Sequence, residues 1–417
     1  MERLLAQRDR RLWAVVILGF TALAIAFSAR AALSLVLPVW ERDIGWSRSF
    51  VSGTGAAALI VMAGVAPFAG SLVDRRGPRT VLVLGLGMIA AGCALVAAAE
   101  ARWWFVLAYA GVSAIGFGMV ATHVVATCIA RLTVEARGLA TGVATAGATA
   151  GQFAVVPALA ALLETMSWRW SFAALGLAAA ALVPLVLLSL KSAVLDGQER
   201  PGDRAGTGGA GKDIRYLLGQ PVFHLLFWSF LLCGYTTTGV IETHLMPYAA
   251  FCGFPPVPGA TAYGILSAAN LGGMVLAGWL TDRVNRPVLL ATIYVVRGLA
   301  FLLLMSVESD YERLVLFAVI FGVVDYATVP VTASLAASHL GTRVMGLAMG
   351  LISAGHAVGG AAGAFAGGYV FELSGAYDAL WWSSLAAAIA AGLCALLIRS
   401  VPPGGGAAKL RDAAFTR

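Results

Sequence analysis

Gly70-Ser71-Leu72-Val73-Asp74-Arg75 returns as Gly278-Trp279-Leu280-Thr281-Asp282-Arg283, and Gly138-Leu139-Ala140-Thr141-Gly142 returns as Gly346-Leu347-Ala348-Met349-Gly350. Ala146-Gly147 and Gly151 follow the first copy of the glycine motif as Ala354-Gly355 and Gly359 follow the second. Both pairs keep one offset of 208 residues, from 70 to 278 and from 138 to 346. Two matches in phase mean that a half-molecule is repeated, and in a very apolar chain such a repeat reads as a membrane carrier.

Composition agrees. Of the 417 residues, 60% are hydrophobic and 12% charged, against about 25% charged in an ordinary soluble domain. The scattered cysteines Cys93, Cys128, Cys233, Cys252 and Cys394 lack CxxC or ligand-like spacing, so neither a disulfide framework nor a metal site is indicated. The basic start at Arg3, Arg8, Arg10 and Arg11 resembles a signal peptide. The apolar stretch that follows is longer than the roughly 7–15 residues of a signal core and reads as a retained membrane helix.

A bilayer core needs roughly 20 apolar residues per helix. That ruler predicts twelve spans, at residues 12–40, 49–73, 79–99, 103–130, 137–164, 169–191, 220–250, 259–281, 286–306, 311–338, 345–372 and 378–399. The expected organisation is a six-helix bundle over 1–191, a polar linker over 192–219, a second bundle over 220–399 and a tail over 400–417. Arg42, Arg48, Arg102, Arg169 and Arg313 fall in loops on one side, Arg30 and Arg297 in spans, and the remaining basic residues on the side of the termini and linker. That bias places both termini in the cytoplasm. It also accounts for the net charge of +7 by topology, so no nucleic-acid partner is expected.

The loop after the second span, Gly70-x-Leu72-x-Asp74-Arg75-x-Gly77-x-Arg79, resembles the signature loop of the major facilitator superfamily, with a degenerate copy after the eighth span. Arg137-Gly138-Leu139-Ala140-x-Gly142-x-Ala144-x-Ala146-Gly147 resembles the fifth-helix signature of monocarboxylate porters and bacterial oxalate:formate-type relatives. The resemblance covers essentially the whole chain. It implies an all-α membrane protein of two pseudo-symmetric six-helix bundles, with spans 1, 4, 7 and 10 lining a central cavity and spans 5 and 11 where the halves meet. Gly70, Asp74, Arg75 and Arg79, with the copies Asp282 and Arg283, are then expected to form a conformational latch; a plain positive-inside turn is the simpler reading. The glycines four apart in spans 5 and 11 read first as close helix packing.

Arg30, His123, Glu242, His244, Arg297, Asp325 and His356 fall inside the spans. An intramembrane charge costs at least about 2.5–3.5 kcal/mol, so these groups are expected to face water, a substrate or one another. By depth, Arg30 and Glu242 lie in the outer half about a turn apart and can meet across the cavity mouth. Glu242 and His244 point to opposite sides of one helix, and sequence does not choose which faces the cavity. Asp325 either pairs with Arg297 or faces the cavity with Tyr326 and carries a proton. The pattern departs from monocarboxylate porters in span 8, where Asn270 is the strongest polar group in place of their arginine, and in span 1, which lacks their acidic-glycine-tryptophan signature.

The expected function is secondary active transport by alternating access of a small organic solute, an organic carboxylate anion moved with protons across the cytoplasmic (inner) membrane by a monomer without cofactors. Arg30, His244, Asn270 and Tyr326 are the candidate substrate-binding residues, and Glu242, Asp325, His123 and His356 the candidates for proton coupling. A proton-driven drug exporter is the alternative within the class. A carrier-fold sensor would be expected to bring a further soluble domain. An enzyme would need a nucleophile or metal constellation, and the sequence has no HExxH and no GxSxG.

Overall fold

The computed structural model describes residues 2–133, 136–190 and 210–400, and every regular element among them is a helix. The first spanning helix, α1, runs Glu2–Asp43. Arg48–Ala97 is one helical run broken at Gly77, whose φ of 77° and ψ of 168° divide it into α2 (residues 48–76) and α3 (residues 78–97). Only glycine adopts that backbone without strain, and Pro78 then opens the next helix where its missing N–H costs nothing. Next come α4 (Arg102–Leu132), α5 (Arg137–Thr165) and α6 (Trp168–Ser189).

The second half holds α7 (Pro221–Phe251), α8 (Pro256–Thr281), α9 (Arg286–Met305), α10 (Tyr311–Leu340), α11 (Met345–Ser374) and α12 (Asp378–Leu396). Ten runs among the described residues are long and apolar enough to cross a membrane. One of them, Gly53–Ala97, is divided by Gly77 into two passes, and α5 is a further helix of 29 residues. Side-chain caps fix several helix starts: Asp310 accepts from Glu312 N (3.0 Å) and Arg313 N (3.2 Å), and Asn285 accepts from Val288 N (3.3 Å).

The predicted linker is not wholly irregular. Ala210–Leu218 is a short helix whose Leu217 is fully buried and whose Asp213 bonds Arg343 at 2.8 Å. Residues 191–209 and the predicted tail beyond 400 lie outside the described residues.

Packing repeats with the sequence. In the first half α1 lies along α5 and α6 packs on the α2–α3 run; in the second α7 lies along α11 and α12 on α9. Trp40, fully buried, gathers Phe105 (4.8 Å between ring centroids), Trp168 (5.3 Å) and Phe172 (5.9 Å). Tyr248, at the repeat position of Trp40, gathers Trp381 (5.0 Å) and Tyr377 (5.6 Å). Each bundle is thus pinned by an aromatic cluster at the end opposite Asp74 and Asp282.

Two chain positions break the helical repeat of the inner helices. α4 is interrupted at residues 120–121 and α10 at residues 325–327, nearly equivalent places in the two halves. In addition, π-turns occupy Leu107–Ser113 of α4 and Tyr235–Ile241 of α7. Such turns rotate the side chains that follow and are frequent at functional sites.

Candidate functional site

Between the halves lies a cavity of about 220 Å³, walled by α1, α2, α4 and α5 on one side and by α7 and α10 on the other. Arg30, Glu242, Tyr326 and Gln152 supply its polar lining, and Phe27, Met62, Tyr109 and Phe117 much of its apolar lining. The Arg30 guanidinium stands 4.7 Å from the centroid of the Phe27 ring and has no ion-pair partner among the described residues. Tyr109 donates its hydroxyl to the Arg30 carbonyl at 3.3 Å, fixing that turn of α1.

Across the cavity the π-turn of α7 ends at Ile241, and Glu242 is exposed into the opening. Its Oε1 accepts the Tyr326 hydroxyl at 2.7 Å. The alternative left open by sequence is thereby resolved geometrically. His244 is turned away, buried, with Nε2 at 3.0 Å from the Ala364 carbonyl of α11 and its ring against Gly367.

Behind Tyr326 the break in α10 is braced by buried polar groups. Asn270 of α8 donates Nδ2 to Asp325 Oδ2 at 3.2 Å and accepts the Tyr326 N–H at 3.3 Å, so it holds the break rather than facing the cavity. Arg297, fully buried, is next to Asp325, but the two do not pair through the carboxylate. Its guanidinium donates to the backbone carbonyls of Val324 (2.7 Å) and Asp325 and to Cys233 Sγ (2.8 Å). A helix interruption frees carbonyls that need donors, and the planar guanidinium fork supplies two of them. Asp325 Oδ1 is buried without a partner among the described residues.

His356 of α11 adjoins the same cluster, with Nε2 at 3.4 Å from Thr237 Oγ1 and its ring centroid 4.9 Å from that of Phe230. His123 of α4 is buried in the other half, beside the Ala66 backbone, with Nε2 unpartnered. Neither lines the cavity.

At the far end the repeated motifs meet crosswise. Asp74 Oδ1 and Oδ2 accept from Gly346 N (2.9 Å) and Leu347 N (2.8 Å) at the start of α11. Asp282 Oδ1 and Oδ2 accept from Gly138 N (2.8 Å) and Leu139 N (2.9 Å) at the start of α5. Each acid therefore caps a helix of the opposite half, where unpaired N–H groups and the helix dipole favour a carboxylate. The glycines make the approach possible: a Cβ on Gly70 would overlap the Gly346 carbonyl, and one on Gly138 would overlap that of Gly278.

The arginines of this end are divided. Arg75 and Arg283 are exposed, Arg283 stacking 4.1 Å from the Trp279 ring, while Arg79 bonds the Leu187 carbonyl at 3.1 Å within its own half. Asp74 instead pairs with Arg131 at 2.5 Å, and Arg131 also donates to the carbonyls of Val73 (3.0 Å) and Thr342 (3.1 Å), bridging the halves. Arg131 was not among the residues singled out from sequence. Its counterpart at the repeat offset is His339, which among the described residues bonds the Leu335 and Arg399 carbonyls, so no repeat signal marked it.

A model of the Major Facilitator Superfamily matches residues 19–346 and 274–415. Monocarboxylate transporter 13 of Rattus norvegicus is 28% identical over 374 residues, covering 88% of this chain and 84% of the rat protein. Monocarboxylate transporter 11 of Homo sapiens is 24% identical over 293 residues, covering 69% of this chain and 60% of the human one. Among solved structures, the proton:xylose symporter XylE bound to 6-bromo-6-deoxy-D-glucose superposes with a TM-score of 0.75 at 15% identity, covering 96% of this chain and 99% of that one. The human organic anion transporter MFSD10 superposes with a TM-score of 0.70 at 18% identity, covering 93% and 99%. With the family model spanning both halves and the twelve-helix fold matched over nearly its full length, the chain belongs to the major facilitator superfamily and is a membrane transporter, not an enzyme.

Proposed function

We propose that this transporter moves a small organic carboxylate together with protons by alternating access. The observation that carries the reading is Arg30, a guanidinium without an ion-pair partner among the described residues, lining a cavity between two halves whose opposite end is held shut. A guanidinium stays ionised at physiological pH and offers a carboxylate two parallel donors. Tyr326 adds a hydroxyl, and Glu242 and Asp325 are the proton-carrying candidates, with His123 and His356 less directly placed. The relatives named as monocarboxylate transporters support the substrate class.

The excess of Lys and Arg on the Asp74 side favours a cytoplasmic location for that end, for both termini and for the linker. The cavity then faces the outside, and Asp74, Asp282 and Arg131 form the inner latch. A monomer suffices, because both halves of the pathway lie in one chain, and a bacterial-type inner membrane is the assigned location. The single lining acid, Glu242, among aromatic residues favours a second reading as a drug exporter. Against it, the cavity of about 220 Å³ is smaller than the roughly 300–1,000 Å³ of drug-sized sites.

Uptake of labelled organic acids into proteoliposomes, with and without an inside-alkaline pH gradient, tests the reading. Gradient-driven accumulation that drops at least about tenfold in Arg30→Gln is expected. Transport of a cationic drug undiminished by the same substitution would replace this reading with the exporter.

A further inference from the structure

The cavity carries two opposite charges that do not neutralise each other. Arg30 comes from α1 and Glu242 from α7, the repeat mate of α1; Thr238 stands at the repeat position of Arg30, with Glu242 one helical turn beyond it. No ion pair joins them. Among the described residues the Arg30 guanidinium meets only the face of Phe27, and Glu242 only the Tyr326 hydroxyl on Oε1, with no partner for Oε2. Charges at this depth are tolerated when they meet each other or a ligand.

A simple carboxylate would neutralise Arg30 and leave Glu242 either facing it or needing a proton of its own. A cation would do the reverse. A zwitterion satisfies both groups at once and leaves the loaded site with no net charge, which is what a centre that must re-cross a low-dielectric region requires. The remaining wall is apolar, formed by Phe27, Met62, Tyr109 and Phe117, and the volume is small.

Resting on the carboxylate reading above and narrowing it, we infer that the substrate is a small zwitterionic α-amino acid with an apolar or aromatic side chain. Its carboxylate lies on Arg30, its ammonium on Glu242 as oriented by Tyr326, and its side chain among the aromatic rings. Glu242 is then engaged by the ammonium, which leaves Asp325 as the proton carrier.

The test uses counterflow exchange in proteoliposomes of the full chain, which needs no proton gradient, with three matched probes: phenylalanine, 3-phenylpropionate lacking the amine, and phenethylamine lacking the carboxylate. Phenylalanine is expected to exchange at least about tenfold faster than either single-charge probe. Glu242→Gln is expected to lower the phenylalanine to phenylpropionate ratio at least about tenfold, and Arg30→Gln to lower both rates. Monodisperse elution of each variant and its heat-unfolding midpoint verify folding, and Glu242→Asp, which keeps the charge, should restore much of the ratio.

Phenylpropionate exchanging faster than phenylalanine, or a ratio unmoved by Glu242→Gln, overturns the zwitterion while leaving the carboxylate carrier standing. Exchange of both carboxylate probes unmoved by Arg30→Gln overturns the carboxylate reading and this inference with it.

Discussion

Replacing Arg297 and replacing Asp325 should have unequal consequences, although the sequence invites reading the two as a pair. Arg297 satisfies two carbonyls released by the break in α10 and holds the thiol of Cys233. Among the described residues the Asp325 carboxylate has only the Asn270 amide as a hydrogen-bond partner. Arg297→Gln is expected to cost about 3–5 kcal/mol, the range for removing one member of a buried charged network. Asp325→Asn should cost about 1 kcal/mol or less, since an amide oxygen still accepts from Asn270. Midpoints of heat unfolding in detergent will show this order, and a fall for Asp325→Asn matching that for Arg297→Gln would restore the ion-pair interpretation. Arg30→Lys, which keeps charge but loses the fork, should weaken substrate binding about tenfold with unfolding unchanged; unaltered affinity would mean that Arg30 acts by charge alone. At this scale the polarity of an apolar sequence was enough to single out Arg30, Glu242 and Tyr326. It could not show that the π-turn before Glu242 turns His244 into packing, or that Asn270 braces a helix break, because both depend on local departures from the 3.6-residue repeat.

Among the helices, the repeated contact between the halves is a carboxylate on the exposed N–H groups of a partner helix, made twice. The two versions differ in one feature. Asp74 binds two N–H groups and Arg131, whereas Asp282 binds two N–H groups and makes no ion pair among the described residues, Arg137 and Arg286 acting on it only through space. One charge-assisted bond is worth roughly 1.5–3 kcal/mol, enough to shift a two-state equilibrium by one to two orders of magnitude. Asp74→Asn should therefore lower transport at least about tenfold at normal abundance, Arg131→Gln should reproduce part of that loss, and Asp282→Asn should be milder. Rates normalised to the protein in the membrane decide the order, and equal effects at Asp74 and Asp282 would remove Arg131 from the latch. The repeat exposed both motifs in the sequence but not their crossed pairing, since no pattern in one helix names the helix it will cap. Nor did the linker composition reveal the helix Ala210–Leu218. Nine residues do not hold a helix by themselves, and this one is fixed by burial of Leu217 and the bond to Arg343.

For the molecule as a whole, the described contacts between halves lie at the Asp74 end: α2 meets α11 from Gly70 to Ala66, and α5 meets α8 from Gly138 to Thr149. On their opposite faces the same glycine-rich helices pack within their own halves, Gly147 and Gly151 on Phe20 and Ala24 of α1 and Gly359 on Leu231 of α7. A helix that binds the other half through one smooth face and its own half through the opposite face is suited to rocking, with the cavity exposed when the glycine crossings close. The whole-molecule architecture was the most legible part of the sequence, because twelve apolar runs and one repeat interval are long-range signals that local irregularities do not erase. The conformation was not legible, since alternating access asks one sequence to support two packings of similar free energy. Leu59 lines the cavity and is 42% exposed, so a cysteine there reports which end is open. In a background with the partly exposed Cys252 and Cys394 changed to serine, Leu59→Cys should react readily with a membrane-impermeant thiol reagent added outside. Adding Gly70→Val puts a branched side chain where the Gly346 carbonyl now lies, so the Asp74 end cannot close and the population moves to the state open on that side. Outside labelling should then fall at least about tenfold while labelling from the opposite face of inverted vesicles rises. Unchanged labelling in the well-folded variant would mean that the glycine crossing does not control access.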